Sequence, residues 1–181
     1  MSCGAGDCLI ASGMVSALIT IRNARAKDAV GIAEVHDLSW REAYRGIIPG
    51  RELEKMISRR GPRWWGNAIS RGSNILVLDF NERIAGYATY GRNRLRAMPY
   101  RGEVFELYLS PEYQGLGFGR RLFKAARTDL ERHGCQAAIV WALEDNARAI
   151  TFYEHMGGRI LRRAPEKFGT DVRERVAFVF E

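Results

Sequence analysis

The segment from residue 107 to residue 123 places a glycine-rich turn between an apolar stretch and an amphipathic helix. The apolar stretch ends at Leu109, glycines follow at Gly115, Gly117 and Gly119, and the helical pattern starts directly behind them. Glycine has no Cβ, so a ligand can approach the backbone closely at these positions. The first turn of a helix leaves N–H groups without intrahelical partners and carries the positive end of the helix dipole. The segment is therefore typical of a turn that binds an anion such as a diphosphate.

Two other nucleotide-binding turns fit this segment less well. A Rossmann turn needs Gly-x-Gly-x-x-Gly near the start of a βαβ unit and an acidic residue about 20 positions later. The spacing here is Gly-x-Gly-x-Gly, and the preceding strand is the fourth in the predicted order. A Walker loop ends in Gly-Lys-Ser or Gly-Lys-Thr, and this segment does not. A structural alternative stays open, because glycines also permit a tight turn from strand to helix without any ligand.

Composition and charge narrow the class of protein. The chain has 181 residues, 46% of them hydrophobic and 27% charged, as in a globular protein of one domain. It carries 28 Lys and Arg against 21 Asp and Glu, for a net charge of +7. The basic residues occur as pairs and single residues, which favours a dispersed solvated surface. A nucleic-acid-binding motif is absent, so we expect no nucleic-acid partner.

Cysteine content and hydropathy favour a cytoplasmic protein. Cys3, Cys8 and Cys135 show no metal-ligand spacing, and their odd number argues against a paired disulfide framework, so we expect reduced thiols and no metal. No run approaches the ~18 to 20 apolar residues of a membrane span, so we expect no membrane partner. Residues 1–18 make a poor signal peptide, and we expect a disordered tail there. A single domain is expected over residues 19–181.

Apolar periodicity predicts a mixed α/β order without repeats. The predicted helices lie at 26–44, at 51–59, from Pro62 onward, from the glycine turn to about 133, and at 146–156. The predicted strands lie at 18–21, 74–80, 83–90, 103–109, 137–143, 159–163 and 174–180. On the helix after the glycine turn, Leu122, Phe123, Ala126 and Leu130 are expected to face the core.

A second motif lies on the predicted helix at 146–156. Asn146 and Tyr153 are seven residues apart, which places them on one helix face about 10 Å from each other. With Ala149 and Phe152 between them, the segment resembles the pattern Asn-x-x-Ala-x-x-Phe-Tyr-Glu-x-x-Gly-Phe of the GNAT superfamily of N-acetyltransferases. The glycine turn resembles the same family's diphosphate loop, whereas Gly158 replaces the usual aromatic residue. The resemblance covers about residues 19–180.

The resemblance implies a fold and a cosubstrate. The implied fold is the α/β GNAT fold, a mostly antiparallel sheet with a splayed parallel pair, flanked by helices. The implied cosubstrate is acetyl-CoA, with its diphosphate on the glycine-turn amides and its pantetheine arm beside Asn146. Tyr153 would then protonate the departing thiolate. The implied acetyl-CoA-binding residues are Leu107, Tyr108, Leu109, Gln114, Gly115, Leu116, Gly117, Phe118, Gly119, Arg120, Asn146, Ala149, Phe152 and Tyr153.

Two glutamates on the predicted strand at 103–109 are candidates for the base that deprotonates an amine. Glu106 lies in an apolar stretch, where desolvation would raise the pKa of its carboxyl group toward that of a useful base. Glu103 lies on the opposite strand face by parity, and family members place a base at either position. Alternatively, each is an ion-pairing carboxylate, with Arg101 or Arg120 as partner, and an ordered water chain replaces the base.

The expected acceptor is a primary amine of a small molecule or peptide. His36, Trp40 and Tyr44 on the first predicted helix are candidates for its pocket, with core packing as the alternative for His36 and Trp40. Trp64 and Trp65 are interpreted as packing residues.

Three arginines follow the third predicted strand, at Arg92, Arg94 and Arg96. They would favour an acidic acceptor if they face the pocket. The sequence as a whole favours direct acetyl transfer to an amine, with a non-catalytic acyl-CoA-binding sensor as the alternative. A homodimer is compatible with the resemblance.

Overall fold

The computed structural model describes residues 19–95 and 98–181. Within these residues a seven-stranded sheet is flanked by five helices. The strands are β1 (Ile19–Asn23), β2 (Ile75–Phe80), β3 (Arg83–Arg92), β4 (Gly102–Leu109), β5 (Ala138–Leu143), β6 (Arg159–Phe168) and β7 (Asp171–Phe180). The helices are α1 (Ala29–Tyr44), α2 (Gly50–Ser58), α3 (Pro62–Ser70), α4 (Phe118–Arg132) and α5 (Ala147–His155), with short 3-10 turns at Ala26–Asp28 and Pro111–Tyr113. The tail predicted at 1–18, and Arg96, lie outside the described residues.

The sheet has the order β1-β2-β3-β4-β5-β7-β6, and every neighbouring pair is antiparallel except β4 with β5. The predicted order of elements and the predicted fold class are confirmed. The last hairpin is longer than predicted, because β6 and β7 continue through residues 164–173. β6 is an edge strand, where a proline and charged side chains are tolerated, so the polar second half of β6 gave no strand signal.

Helices cover both faces of the sheet. α1 and α3 pack on one face, against Val77 and Tyr87. α4 and α5 pack on the other face, against Ala88 and Val104. The four residues of α4 predicted to face inward are buried there, as expected: Leu122, Phe123, Ala126 and Leu130. Among the helices of the described residues, none combines the length and apolar character needed to cross a bilayer.

A β-bulge opens the sheet between its two parallel strands. Thr89 pairs with Glu106 and Tyr90 pairs with Val104, so Phe105 is an extra residue on β4. A bulge bends its strand and increases the local twist. β4 pairs with β5 only over residues 102–104, and beyond them the two strands diverge. The predicted splayed pair therefore has a local cause at Phe105.

Candidate active site

Two cavities meet where β4 and β5 diverge. The first, here the glycine-turn cleft, has a volume of about 490 Å³ and is lined by the end of β4, the turn before α4, and α5. The second, here the aromatic cavity, has a volume of about 580 Å³ and is lined by α1, α3, β3, β5 and the β6–β7 hairpin. Six residues line both: Tyr44, Phe105, Glu106, Tyr108, Trp141 and Ala142.

The glycine turn presents its backbone to open space. Gly115 and Gly117 have φ angles of +74° and +79°, a conformation that residues with a Cβ rarely adopt. Apart from the adjoining residues of the chain, no described atom lies within 4 Å of the position that a Cβ would take at either glycine. Gly117 is the N-cap of α4, so the N–H groups of the first helical turn face the same region. The turn therefore fits a diphosphate, with Gly119 and Arg120 also lining the cleft.

Two residues of the turn are expected to contribute through their backbone only. The side chain of Leu116 is 62% exposed and lies outside the lining of the cleft. The side chain of Phe118 is buried beside Leu78 on the underside of the turn. The side chain of Phe118 thus anchors the turn and that of Leu116 flanks it, while the peptide groups of both residues remain available to a ligand.

The splayed end of β4 forms one wall of the cleft through Leu107, Tyr108 and Leu109. These residues pair with β3 on one edge and have no β5 partner on the other. The carbonyl of Leu109 already accepts hydrogen bonds from Ser39 Oγ at 2.9 Å and Gln114 Nε2 at 3.0 Å. The peptide groups before this carbonyl are therefore the ones that remain available to a ligand.

α5 forms the opposite wall, with Asn146, Ala149, Phe152 and Tyr153. Asn146 Oδ1 accepts the backbone N–H of Ala149 at 3.2 Å, so the side chain caps the helix. Its Nδ2 group remains a donor for a ligand. Burial raises the pKa of the Tyr153 hydroxyl, which keeps this group protonated at neutral pH. Tyr153 can therefore donate a proton into the cleft.

Three polar side chains bridge the mouth of the glycine-turn cleft. Gln114 Nε2 donates to Glu42 Oε2 at 2.9 Å, and Arg148 Nη1 donates to Glu42 Oε1 at 2.8 Å and also bonds to Gln114. They link α1, the glycine turn and α5. Glu42 and Arg148 were not predicted as site residues, since nothing in the local sequence indicates that they meet.

Glu106 lies at the junction of the two cavities. Its carboxylate pairs with Arg60 and accepts a hydrogen bond from Thr89 Oγ1 at 3.3 Å. Only 10% of its side chain is exposed. Burial raises the pKa of Glu106, while the Arg60 guanidinium opposes the shift. A desolvated carboxylate with a raised pKa has the properties of a general base.

Glu103 lies outside the lining of both cavities. Its side chain is 2% exposed, and it accepts from Arg94 Nη2 at 2.5 Å and from the Arg94 backbone N–H at 3.0 Å. The expected partners Arg101 and Arg120 are wrong for both glutamates. Arg94 reaches Glu103 because the segment after β3 folds back over the start of β4, and Arg60 reaches Glu106 from the connection between α2 and α3.

The first helix contributes two of its three expected acceptor residues to the aromatic cavity. Trp40 and Tyr44 line it, and Tyr44 Oη lies 2.7 Å from Tyr108 Oη. His36 does not line it: the ring lies behind Trp40 with its Nδ1 at 2.8 Å from Tyr87 Oη. Burial, with a smaller contribution from a nearby arginine, lowers the pKa of His36 to about 3. The structure therefore places a neutral His36 in the core.

Trp64 and Trp65 have different surroundings. Trp65 is fully buried, in agreement with the packing interpretation. Trp64 is 42% exposed, lines the aromatic cavity, and carries the Arg60 guanidinium 4.8 Å from its ring centroid. The packing interpretation is thus wrong for Trp64.

The pair Arg59-Arg60 looked like solvated surface in the sequence. Only the tertiary contact with Glu106 distinguishes Arg60 from a solvated arginine.

The sheet opens at its parallel pair, and a glycine turn with a helix N-terminus lies beside the opening, as the resemblance to acyl-CoA-dependent transferases predicts. The model of the acetyltransferase (GNAT) family matches residues 32–158, and the chain belongs to this family. It is 29% identical over 157 residues to the uncharacterized N-acetyltransferase YuaI of Bacillus subtilis (strain 168), a match that covers 87% of this chain and 90% of that protein.

Two solved structures have the same fold. PaiA N-acetyltransferase from Thermoplasma acidophilum, in complex with coenzyme A, gives a TM-score of 0.69 at 21% identity and covers 87% of this chain and 98% of that one. YncA from Salmonella typhimurium, with acetyl-CoA, gives a TM-score of 0.64 at 21% identity and covers 91% and 94%. The chain is an acyltransferase of the GNAT type.

Proposed function

We propose that the chain transfers an acetyl group from acetyl-CoA directly to the primary amine of a second substrate, without an acyl-enzyme. The observation that carries this proposal is the shared wall of the two cavities. The glycine-turn cleft fits an anionic nucleotide, the aromatic cavity is large enough for a small amine, and both open onto Glu106. Direct transfer needs such a junction, because the amine and the thioester must meet in one place.

Glu106 is the base in this proposal. It takes a proton from the amine, directly or through an ordered water, as the new C–N bond forms. The raised pKa of Glu106 supports this role, because a base works best when its pKa approaches the working pH. Thr89 and Arg60 orient the carboxylate toward the junction.

Tyr153 is the acid, and the backbone of β4 is the proposed electrophilic element. Bound acetyl-CoA supplies an activated acetyl thioester. Tyr153 would donate its proton to the sulfur as the C–S bond breaks, a role supported by its position in the cleft. A backbone N–H within residues 107–109 would stabilise the negative charge that develops on the thioester oxygen.

The proposed location is the cytoplasm. The buried free thiol of Cys135 supports a reducing compartment.

The test is a steady-state assay of free CoA release from acetyl-CoA against a panel of primary amines, with amine-free reactions as the background. We expect amine-dependent release that is linear in protein concentration, with acetylated amine detected by mass spectrometry in equal amount. If the protein binds CoA but no amine in the panel stimulates release, transfer is contradicted and an acyl-CoA sensor is favoured.

A further inference from the structure

Aromatic rings lie beside Glu106 on the helix side of the aromatic cavity. Arg60 pairs with Glu106. The Arg60 guanidinium lies 4.8 Å from the ring centroid of Trp64 and 6.0 Å from that of Trp40. The ring centroid of Tyr44 in turn lies 5.0 Å from that of Trp40. Three rings from α1 and α3 are thus gathered near the proposed base.

The sheet places two further rings on the same side, because strand residues two positions apart share a face. Tyr108 is two residues from Glu106, and its ring centroid lies 5.9 Å from that of Trp40. Trp141 is two residues from Leu143, whose side chain packs in one cluster with Trp40. Tyr108 and Trp141 therefore face the helix rings across the cavity.

Phe105, the extra residue of the bulge, faces the same cavity. A Cβ on Gly91 would lie 3.3 Å from the Phe105 ring, so this ring lies over the glycine. Gly91 shares its β3 face with Thr89, whose hydroxyl bonds to Glu106. Six rings, three from the helices and three from the sheet, therefore surround the proposed base.

The charges in this cavity are compensated within the protein. The three arginines on the cavity side each pair with a glutamate: Arg60 with Glu106, Arg94 with Glu103 and Arg175 with Glu166. Within residues 19–95 and 98–181, Glu106 and Glu166 are the acidic residues that line the cavity, so each carboxylate of the described lining is paired.

Arg92, the fourth arginine of the lining, has its side chain on the opposite face of the sheet. It is two residues from Tyr90, which packs in the core with α4. It also pairs with Gly102, where a Cβ would lie 3.2 Å from that of Cys135. The acidic acceptor expected from Arg92 and Arg94 is therefore disfavoured, because Arg92 points away and Arg94 is paired.

These walls select against a second charge on the acceptor. An additional ammonium or a carboxylate would lose its water and meet no unpaired opposite charge among the described residues whose side chains line the cavity. The rings of Trp64, Phe105 and Trp141 already have a guanidinium over one face, which makes them poor sites for another cation. An aromatic body loses no charge solvation and packs against the same rings.

We infer that the acceptor is an aromatic monoamine, a primary amine joined by a short linker to an aromatic ring system and free of any second charge. Its ring lies between the helix rings and the sheet rings, with the amine at Glu106. The inference deepens the proposed function and depends on it for the position of the amine. The cavity volume of about 580 Å³ is sufficient for such a molecule. Polyamines and amino acids are poor acceptors in this scheme.

The experiment compares kcat/KM per amino group for amines that differ in one feature, at equal concentrations of unprotonated amine. Phenethylamine against ethylamine tests the ring, pentylamine against cadaverine tests the second ammonium, and phenethylamine against phenylalanine tests the carboxylate. We expect phenethylamine to exceed ethylamine by roughly 10- to 100-fold through burial of the ring. Pentylamine should exceed cadaverine, and phenethylamine should exceed phenylalanine, by on the order of tenfold.

Trp141→Leu tests whether the rings cause the preference. The change keeps an apolar side chain and removes the ring, so the ratio of phenethylamine to ethylamine turnover should fall by roughly 3- to 10-fold. Tyr100→Leu is the matched control, because it removes a half-buried ring outside the lining of both cavities. It should leave the ratio intact, and an equal fall in both variants contradicts the role of the cavity rings.

Arg175→Met tests the charge argument. It leaves Glu166 without its partner, so kcat/KM for cadaverine or spermidine should rise relative to pentylamine by about threefold or more. Arg173→Met is the comparison, since it removes a charge two residues away whose partner Asp171 lies outside the lining of the aromatic cavity. No rise with either polyamine in Arg175→Met, or an equal rise in Arg173→Met, contradicts the charge argument.

The failure of this inference differs from the failure of the proposed function. Turnover of ethylamine, cadaverine or phenylalanine that equals or exceeds that of its counterpart overturns the aromatic monoamine while acetyl transfer stands. Absence of turnover with every amine contradicts the proposed function instead. Calorimetry with the CoA-loaded protein then tests the site directly, and binding of phenethylamine no tighter than that of ethylamine overturns it.

Discussion

The glycine-turn cleft and the aromatic cavity share a wall but are constructed differently. The cleft is formed by two short continuous segments, residues 105–120 and 141–153, with further contributions from α1, and much of what it offers is backbone. The aromatic cavity is formed by six separate parts of the chain, from α1 to β7. Recognition of the cosubstrate therefore depends on local conformation, whereas recognition of the acceptor depends on how distant segments pack.

The electrostatics of the two regions differ in the same way. In the proposed function, the glycine turn binds an anion through peptide N–H groups and the dipole of α4. In the aromatic cavity, guanidinium groups are paired with glutamates and lie over aromatic rings. Single side-chain substitutions in the glycine-turn cleft should therefore have small effects on binding unless they distort the backbone. Substitutions in the aromatic cavity should have effects specific to the acceptor.

The largest effect is expected from Gly117→Val. Valine is strongly disfavoured at φ +79°, and its side chain would fill the open space in front of the turn. We expect CoA binding, measured by calorimetry, to fall below detection. Gly134→Val is the matched control, because Gly134 has φ +78° with open space around it but lies at the end of α4, outside both cavities.

Both glycine variants should lose similar thermal stability, and only Gly117→Val should lose CoA binding. Equal CoA affinity in Gly117→Val and the native protein would contradict the backbone cradle.

Glu106→Gln should have the next largest effect, now at the junction of the two regions. Removing a general base lowers the rate by about 10² to 10⁴-fold. We expect kcat to fall into this range while CoA affinity stays unchanged. Glu103→Gln is the comparison, since Glu103 pairs with Arg94 outside both cavities, and it should reduce thermal stability more than turnover. Native turnover in Glu106→Gln would favour deprotonation by solvent.

Tyr153→Phe tests the proposed acid, a side chain of α5 in the wall of the glycine-turn cleft. The change removes one hydroxyl and keeps the aromatic packing against Phe123 and Phe178. We expect a fall in kcat of roughly 10² and an unchanged Kd for CoA, because the hydroxyl acts on the departing sulfur. Tyr100→Phe, outside the lining of both cavities, should change neither. If Tyr153→Phe weakens CoA binding and leaves kcat unchanged, Tyr153 is a binding residue.

Arg60→Ala should have the smallest effect on the maximal rate and a clear effect on its pH dependence. Arg60 lowers the pKa of Glu106 against the effect of burial, so its removal raises that pKa further. Glu106 acts in its deprotonated form, and activity therefore rises with pH through its pKa. The acidic limb of the kcat profile should move to higher pH. An unchanged limb would show that Glu106 does not set it.

Two features of the site follow from the sequence alone. The turn geometry at Gly115 and Gly117 is local, because glycine spacing and the start of a helix determine it over a few residues. The position of Asn146 and Tyr153 on one wall follows from helical periodicity. The element order of the sheet was predictable for the same reason, apart from the polar edge hairpin.

The strand parity that placed Glu103 on the opposite face from Glu106 was wrong, because the extra residue Phe105 puts both glutamates opposite residues of one β3 face, Thr89 and Gly91.

Only the tertiary structure decided the acceptor side. The bulge at Phe105, the pairing of Arg60 with Glu106, and the exposure of Trp64 join residues that are far apart in the chain. An arginine in a loop has the same local pattern whether it is solvated or lies over a tryptophan. Contacts between distant segments depend on how the packed helices and strands approach each other, and the short-range periodicity of a sequence does not contain that information.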